Sequence, residues 1–246
     1  MRLHCDRLDA GLFVHTDDAR RPLVIHVPGF NEDAFSHAGY ALLLAHAGVD
    51  ALVMNPPWRA TPENVQADPF MLWRLFDGMD AQLRASESLW SGRRLGLSGF
   101  SMGGLWASRW LATHERRPID AAALVLASGD YSFMPRVTMA AFPALAAAVP
   151  EAVLGDVEVA MRERSPIGDL TALPPMPLLV INVANDPRLP ADNALRFHAA
   201  LQRSYSEVGQ GEALETTLLR GDEHRFRRAF QQRLVAWFAE QLTQSS

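Results

Sequence analysis

Cysteine is almost missing from this chain of 246 residues, which contains only Cys5. One cysteine cannot form a disulfide within the chain, and a structural zinc site built on cysteine thiolates is excluded for the same reason. Disulfides mark oxidising compartments, and residues 1–7 lack the apolar core of a secretory signal. We therefore expect a cytoplasmic protein.

Long apolar runs and clusters of positive charge are missing as well. The most apolar long segment, residues 137–154, is interrupted by Pro143, Pro150 and Glu151 and is too weakly hydrophobic to span a membrane. The net charge is -5 without a stretch rich in lysine and arginine, so the charge pattern of a nucleic-acid-binding protein is lacking. Hydrophobic residues make up 48% of the chain, which is typical of a soluble globular domain with a sizeable core.

The sequence contains instead a regular alternation of short apolar runs and segments of helical period. The apolar runs predict strands at residues 23–27, 51–55, 94–98, 121–127, 178–184 and 216–219. Helical spacing predicts helices at residues 34–47, 69–85, 102–114, 191–203 and 225–242. Continuous apolar strands are typical of a parallel sheet that is covered on both faces, and the alternation predicts a mostly parallel, doubly wound α/β fold. The first twenty residues are expected to add edge strands.

One segment, residues 131–168, interrupts this alternation. It is rich in alanine, methionine, phenylalanine and proline and shows no clear strand. An insertion of this kind is either a packed surface subdomain or a lid over a site, and we favour a small helical lid. We see no linker that would divide the chain, so we expect a single domain over residues 1–246.

The sharpest chemical signal is the sequence Gly99-Phe100-Ser101-Met102-Gly103, which matches the pattern G-x-S-x-G. It lies between a predicted strand and a predicted helix. A serine on a sharp strand-to-helix turn projects its hydroxyl out of the sheet, and the helix N-terminus behind it favours negative charge. We therefore predict that Ser101 is a nucleophile.

Serine needs a base that takes its proton, and position selects among the eight histidines. His224 follows the last predicted strand, in the kind of loop where parallel sheets place active-site residues. His26 lies inside a predicted strand and is expected in the core. Four others fall in helical segments and are expected at the surface or partly packed: His37, His46, His114 and His198.

A carboxylate is required to orient the base. Asp186 follows the strand predicted at residues 178–184, and the order Ser101, Asp186, His224 is the order that the nucleophile motif predicts. Asp130, which follows the preceding strand, remains the alternative acid. Asp222 and Glu223 are too close in sequence to His224 to orient its ring, and their carboxylates are expected to be solvated.

Two backbone N–H groups are expected to stabilise an oxyanion. The first belongs to Met102, directly after the nucleophile. The second is expected in the loop after the first predicted strand, Pro28-Gly29-Phe30-Asn31, where Phe30 is the best candidate and Gly29 allows close approach of the backbone.

Together these segments resemble the α/β-hydrolase superfamily over residues 22–240. The resemblance rests on Val27-Pro28-Gly29-Phe30, Gly99-Phe100-Ser101-Met102-Gly103-Gly104, Asn185-Asp186-Pro187-Arg188-Leu189-Pro190 and Gly221-Asp222-Glu223-His224. Within the superfamily, residues 165–190 are similar to prolyl-oligopeptidase-like hydrolases and related esterases. The chain departs from them in lacking a propeller and in having Pro28 where many members have histidine.

The resemblance implies hydrolysis of an ester, thioester or amide without a metal or an organic cofactor. We expect a serine hydrolase that cleaves a small carboxylic ester or thioester through an acyl-enzyme, with residues 131–168 and Trp58 as candidate walls of an acyl pocket. An acyltransferase or cyclising enzyme with the same triad and a non-catalytic ligand-binding protein remain alternatives. The expected partner is a small molecule, with neither nucleic acid nor a membrane, and the sequence sets no oligomeric state.

Overall fold

The computed structural model of the protein describes residues 2–57, 71–113, 119–141 and 143–243. Within them the strands are β1 (His4–Leu8), β2 (Gly11–His15), β3 (Leu23–Val27), β4 (Asp50–Met54), β5 (Leu95–Phe100), β6 (Ala121–Val125), β7 (Leu178–Val183) and β8 (Leu214–Leu219). They form one sheet in the order β1-β2-β4-β3-β5-β6-β7-β8. β2 pairs antiparallel with β1 and β4, and the pairs from β4 through β3 to β8 are parallel. The mostly parallel sheet and the edge strands that the sequence predicts are confirmed.

Helices cover both faces of this sheet. They are α1 (Ala38–His46), α2 (Met71–Ala85), α3 (Met102–Ala112), α4 (Met134–Ala141), α5 (Pro143–Ala148), α6 (Glu151–Glu163), α7 (Ala191–Glu207) and α8 (Arg228–Thr243). Tyr40 and Leu44 of α1 pack with Phe238 of α8 in the core on one face. On the other face, Trp106 of α3 packs with Phe197 of α7. The two cores explain the continuous apolar strands, because each strand buries side chains on both sides.

Several boundaries differ from those that the sequence predicts. β5 continues to Phe100, because Gly99 and Phe100 pair with β6 although a glycine next to the motif suggests a turn. The helix predicted at residues 34–47 begins as a 3₁₀ helix at Phe35–His37 and becomes α-helical at Ala38. The predicted start of the helix at residue 69, Trp58 and His114 lie outside the described residues. In the part of the chain that the structure describes, each helix is too short or too polar to cross a membrane.

The insertion at residues 131–168 is helical and is held at both ends. α4, α5 and α6 lie in it, followed by a 3₁₀ helix at Pro166–Gly168. Tyr131 donates its N–H to Ser165 Oγ at 2.7 Å, and Ile167 donates its N–H to the carbonyl of Gly129 at 2.9 Å. These bonds close the insertion at its base, next to the carboxyl end of β6. That it acts as a lid stays a prediction.

Candidate active site

The predicted site residues lie in loops at one edge of the sheet. Register pairs Val27 at the end of β3 with Gly99 of β5, and Val183 at the end of β7 with Leu219 at the end of β8. The carboxyl ends of these parallel strands therefore meet, and the loops that follow them converge. An α/β sheet places its ligand sites at this edge.

Ser101 forms a strained turn between β5 and α3. Its φ of 53° and ψ of -119° lie in a region that costs a side-chain-bearing residue about 1–3 kcal/mol. Close packing imposes the turn: a Cβ on Gly99 would lie 2.4 Å from the carbonyl oxygen of Gly103, and the N–H of Ser101 donates to the carbonyl of Val125 at 2.9 Å. Ser101 is half-buried.

The structure brings Ser101, His224 and Asp186 into one hydrogen-bonded line. His224 Nε2 lies 2.7 Å from Ser101 Oγ, and His224 Nδ1 lies 2.7 Å and 2.9 Å from the two carboxylate oxygens of Asp186. The side chain of Asp186 is fully buried and that of His224 is 6% exposed. An ionised carboxylate only accepts hydrogen bonds, so Nδ1 carries the proton and Nε2 is left to accept the proton of Ser101.

Asp186 is fixed by the backbone around it. Its Oδ1 accepts the N–H groups of Arg188 at 2.7 Å and Leu189 at 2.9 Å, which form a tight turn around the carboxylate. The N–H of Asn185 donates to the carbonyl of Gly221 at 3.0 Å. This last bond ties the loop of Asp186 to the loop of His224, which explains how residues 38 positions apart come into contact.

The alternative acid, Asp130, has different partners. Its carboxylate accepts hydrogen bonds from Ser132 Oγ at 2.6 Å, Asn193 Nδ2 at 3.0 Å and Arg196 at 2.8 Å. Burial would raise the pKa of Asp130, but the hydrogen bonds from Ser132 and Arg196 outweigh it and lower the pKa. Asp130 thus anchors the start of the insertion to α7, and it is Asp186 that contacts His224.

One predicted oxyanion donor lies at the start of a helix and the other lies in a loop. Met102 is the first residue of α3, where an N–H has no partner within the helix. Phe30 lies in a turn that the N–H of Glu32 closes on the carbonyl of Gly29 at 3.2 Å, with Asn31 at a φ of 61°. Among the residues that the structure describes, none accepts a hydrogen bond from the N–H of Phe30 or from that of Met102. Their role as oxyanion donors stays a prediction.

Two of the histidines that were predicted to lie at the surface or to be partly packed are buried, and these predictions were wrong. His37 is 2% and His198 6% exposed. Each contacts the sheet: His37 Nδ1 lies 2.8 Å from His26 Nε2 of β3, and His198 Nε2 lies 2.8 Å from Asn182 Oδ1 of β7. Helical spacing alone does not reveal such a face when the residue is polar. His46 is exposed, and His26 is fully buried as predicted.

Sequence reasoning missed Glu32. Its Oε2 accepts the N–H of Gly29 at 2.7 Å and lies 3.1 Å from His37 Nε2. Burial would raise the pKa of Glu32, but the hydrogen bonds from His37 and Gly29 and the proximity of His224 lower it. A glutamate three residues after a glycine carries no motif, so only the fold reveals this contact.

Comparison with known sequences points to hydrolases. The family profile described as "Prolyl oligopeptidase family" matches residues 76–245. Esterase YjfP of Escherichia coli (strain K12) is 25% identical over 239 residues, which cover 92% of this chain and 91% of that esterase.

Solved structures share the fold. TT1662 from Thermus thermophilus superposes with a TM-score of 0.73 at 18% identity, covering 100% of both chains. The acylaminoacyl peptidase of Pyrococcus horikoshii superposes with a TM-score of 0.66 at 17% identity, covering 100% of this chain but 42% of the peptidase. The α/β-hydrolase fold that the sequence predicts is therefore confirmed.

Proposed function

This chain belongs to the prolyl oligopeptidase family, and on that premise we propose that it is a serine hydrolase that cleaves a carboxylic ester or thioester through an acyl-enzyme. The observation that carries the proposal is the 2.7 Å contact between Ser101 Oγ and His224 Nε2, in a line completed by Asp186. An ester is favoured over a peptide because Esterase YjfP is similar to this chain along nearly its whole length.

The first half of the proposed reaction forms the acyl-enzyme. His224 Nε2 takes the proton of Ser101 while Oγ forms a bond to the carbonyl carbon, and the carbonyl electron pair moves onto oxygen. The N–H groups of Met102 and Phe30 are proposed to hold that oxyanion. When the carbonyl re-forms, the bond to the leaving alcohol or thiol breaks, and His224 gives the leaving group its proton.

The second half returns the enzyme to its starting state. Water gives a proton to His224 Nε2 and attacks the acyl carbon, and collapse of the second oxyanion releases the acid and re-protonates Ser101. Asp186 stabilises the imidazolium in both halves without taking the proton. These steps need no metal and no organic cofactor.

We extend the proposal to the substrate's size and to the insertion. Residues 131–168 begin beside the carboxyl end of β6, at the edge of the sheet that carries Ser101, which suits a lid over a small acyl group. The expectation of a cytoplasmic location rests on the single cysteine and remains part of this proposal.

A fluorophosphonate probe tests the activated serine without knowledge of the substrate. We expect one adduct by intact mass, mapped to the peptide that contains Ser101 and absent from Ser101→Ala. Ser91→Ala, which removes an exposed serine, is the matched control and should label like the wild type. A folded wild-type protein that stays unlabelled would contradict the proposal and favour a ligand-binding protein.

Product analysis then separates hydrolysis from acyl transfer. With a panel of esters and thioesters, we expect the free acid as the main product. An added alcohol or amine that captures the acyl group in preference to water would instead assign the triad to a transferase.

Substitution of the two candidate acids distinguishes their roles. Asp186→Asn is expected to lower kcat by about 10³- to 10⁴-fold, because the amide favours the wrong tautomer of His224. Asp130→Asn is the control: it removes a buried carboxylate of the same edge that contacts Arg196 instead of His224. We expect its kcat, measured per labelled Ser101, to stay within about threefold of the wild type. Equal losses in the two variants would reject Asp186 as the acid.

A further inference from the structure

Four hydrogen-bonded side chains connect the core to the candidate active site. Ser98 Oγ lies 2.6 Å from His26 Nδ1, His26 Nε2 lies 2.8 Å from His37 Nδ1, and His37 Nε2 lies 3.1 Å from Glu32 Oε2. Ser98 and His26 are fully buried, and the side chain of Glu32 is 35% exposed. We call Ser98, His26, His37 and Glu32 the histidine chain.

The histidine chain has one direction when both rings are neutral. Burial lowers the pKa of His26 well below its usual value, which favours the neutral ring. The Glu32 carboxylate only accepts, so His37 Nε2 donates to it and His37 Nδ1 accepts from His26 Nε2. His26 Nδ1 then accepts the hydroxyl proton of Ser98. This arrangement gives each ring nitrogen of His26 and His37 a hydrogen-bond partner.

The outer end of the histidine chain holds the predicted oxyanion loop. Glu32 Oε2 accepts the N–H of Gly29 at 2.7 Å while it also accepts from His37. Gly29 directly precedes Phe30, so the bond fixes the backbone whose next N–H is the predicted oxyanion donor. A loop closed only by its own turn would leave that N–H less well oriented.

The two rings also support the other catalytic loops. Phe226, two residues after His224, stacks on His37 at 4.8 Å and on His26 at 5.1 Å between ring centroids, with interplanar angles of 22° and 20°. Ser98, at the inner end, lies on β5 three residues before Ser101. The loops of Phe30 and His224 and the strand that precedes Ser101 therefore meet at one pair of rings.

The polar character of the histidine chain favours a role in orienting the oxyanion loop. Two buried imidazoles and a partly buried carboxylate cost desolvation free energy that apolar residues of similar volume would avoid. Apolar contacts tolerate small displacements, whereas hydrogen bonds weaken steeply with angle. A catalytic donor has to be held within a fraction of an ångström, which directional bonds achieve.

We propose that Glu32, held by His37 and His26, is a positioning residue that keeps the N–H of Phe30 directed at the oxyanion formed on Ser101. The inference rests on the proposed function. Glu32 does not touch the reacting atoms in this scheme; it acts through Gly29.

Substitution of Glu32 tests this role. We expect Glu32→Ala to lower kcat for an ester by about 10- to 100-fold, less than the loss of a whole oxyanion donor, with KM within about threefold. Glu32→Gln should keep kcat within about threefold, because its amide oxygen can accept both N–H groups. All rates are taken per active site, titrated with the fluorophosphonate, so that misfolded protein does not contribute.

Inhibition by phenylboronic acid gives the second measurement. Its tetrahedral adduct on Ser101 places an oxygen in the oxyanion position, so its Ki should rise in Glu32→Ala by about the factor by which kcat falls. Asp33→Ala is the matched control. It removes the neighbouring carboxylate of the same loop, which bonds the N–H and hydroxyl of Ser36, and should leave kcat and Ki within about threefold.

The outcomes separate this inference from the proposed function. An unlabelled wild type contradicts the proposed function itself. A labelled, active wild type with an equally active Glu32→Ala overturns only the positioning role, as does a change in KM without one in kcat. If Glu32→Ala does not fold, Glu32→Met preserves the length of the side chain but accepts neither bond; failure of both variants to fold would assign Glu32 a purely structural role.

Discussion

Ser101→Ala and His224→Ala should each lower kcat/KM for an ester by about 10⁴- to 10⁶-fold, and the double variant should lose little more. The reason lies in the geometry, because Ser101 Oγ and His224 Nε2 are 2.7 Å apart and share one proton. Without the hydroxyl the base has nothing to activate, and without the base the hydroxyl keeps its proton. Each removal therefore abolishes the same step.

Steady-state kinetics of the two single variants and the double variant check this expectation. His46→Ala, which removes an exposed histidine of α1, controls for unspecific effects of histidine loss. Losses that multiply in the double variant would show that the two residues act independently. That result would contradict the shared proton transfer, even if both single variants were inactive.

The triad could be predicted because its signals are local. Ser101 follows a strand in a motif of five residues, and Asp186 and His224 each come shortly after an apolar run. In a parallel sheet the position of a residue along its own strand sets the edge at which it lies. Chain order thus sufficed to bring together residues that are far apart in sequence, without knowledge of which strands are neighbours.

The supports of the site could not be predicted for the opposite reason. His26, His37 and Glu32 meet only because β3 and the 3₁₀ helix after it pack against each other under Phe226. A histidine in a strand and another in a helix carry no periodic signal, and their partners depend on ring orientation. The sequence therefore identifies the groups that are proposed to react, whereas the groups that are proposed to orient them emerge from packing.

The ends of elements at the site were also hard to predict. Gly99 suggests a turn by composition, yet it pairs with β6 as the last but one residue of β5. A Cβ there would collide with α3, so the glycine serves the approach of the helix and not a break in the strand. Composition cannot separate these two uses, because both require the absence of a side chain.

Gly103→Ala is expected to be the most damaging single substitution for the fold of the site. An added Cβ would lie 2.0 Å from the carbonyl oxygen of Val27 and 2.5 Å from that of Pro28. Both are backbone atoms at the end of β3, so relief requires α3 to move away from the sheet. We expect a loss of about 3 kcal/mol in the free energy of unfolding, at the upper end of overpacking effects, and roughly 6–12 °C in Tm.

Thermal and urea unfolding measure the loss, and Gly155→Ala is its matched control. Gly155 lies within α6, and a Cβ there would meet no atom within 4 Å, so the same chemical change should stabilise the helix by about 0.5–1 kcal/mol. At temperatures below its unfolding transition, Gly103→Ala should react with fluorophosphonate more slowly than the wild type. The reason is that a displaced α3 carries the N–H of Met102 away from the loop of Phe30. Wild-type stability and labelling rate in this variant would show that the strained turn at Ser101 does not depend on close contact between β3 and α3.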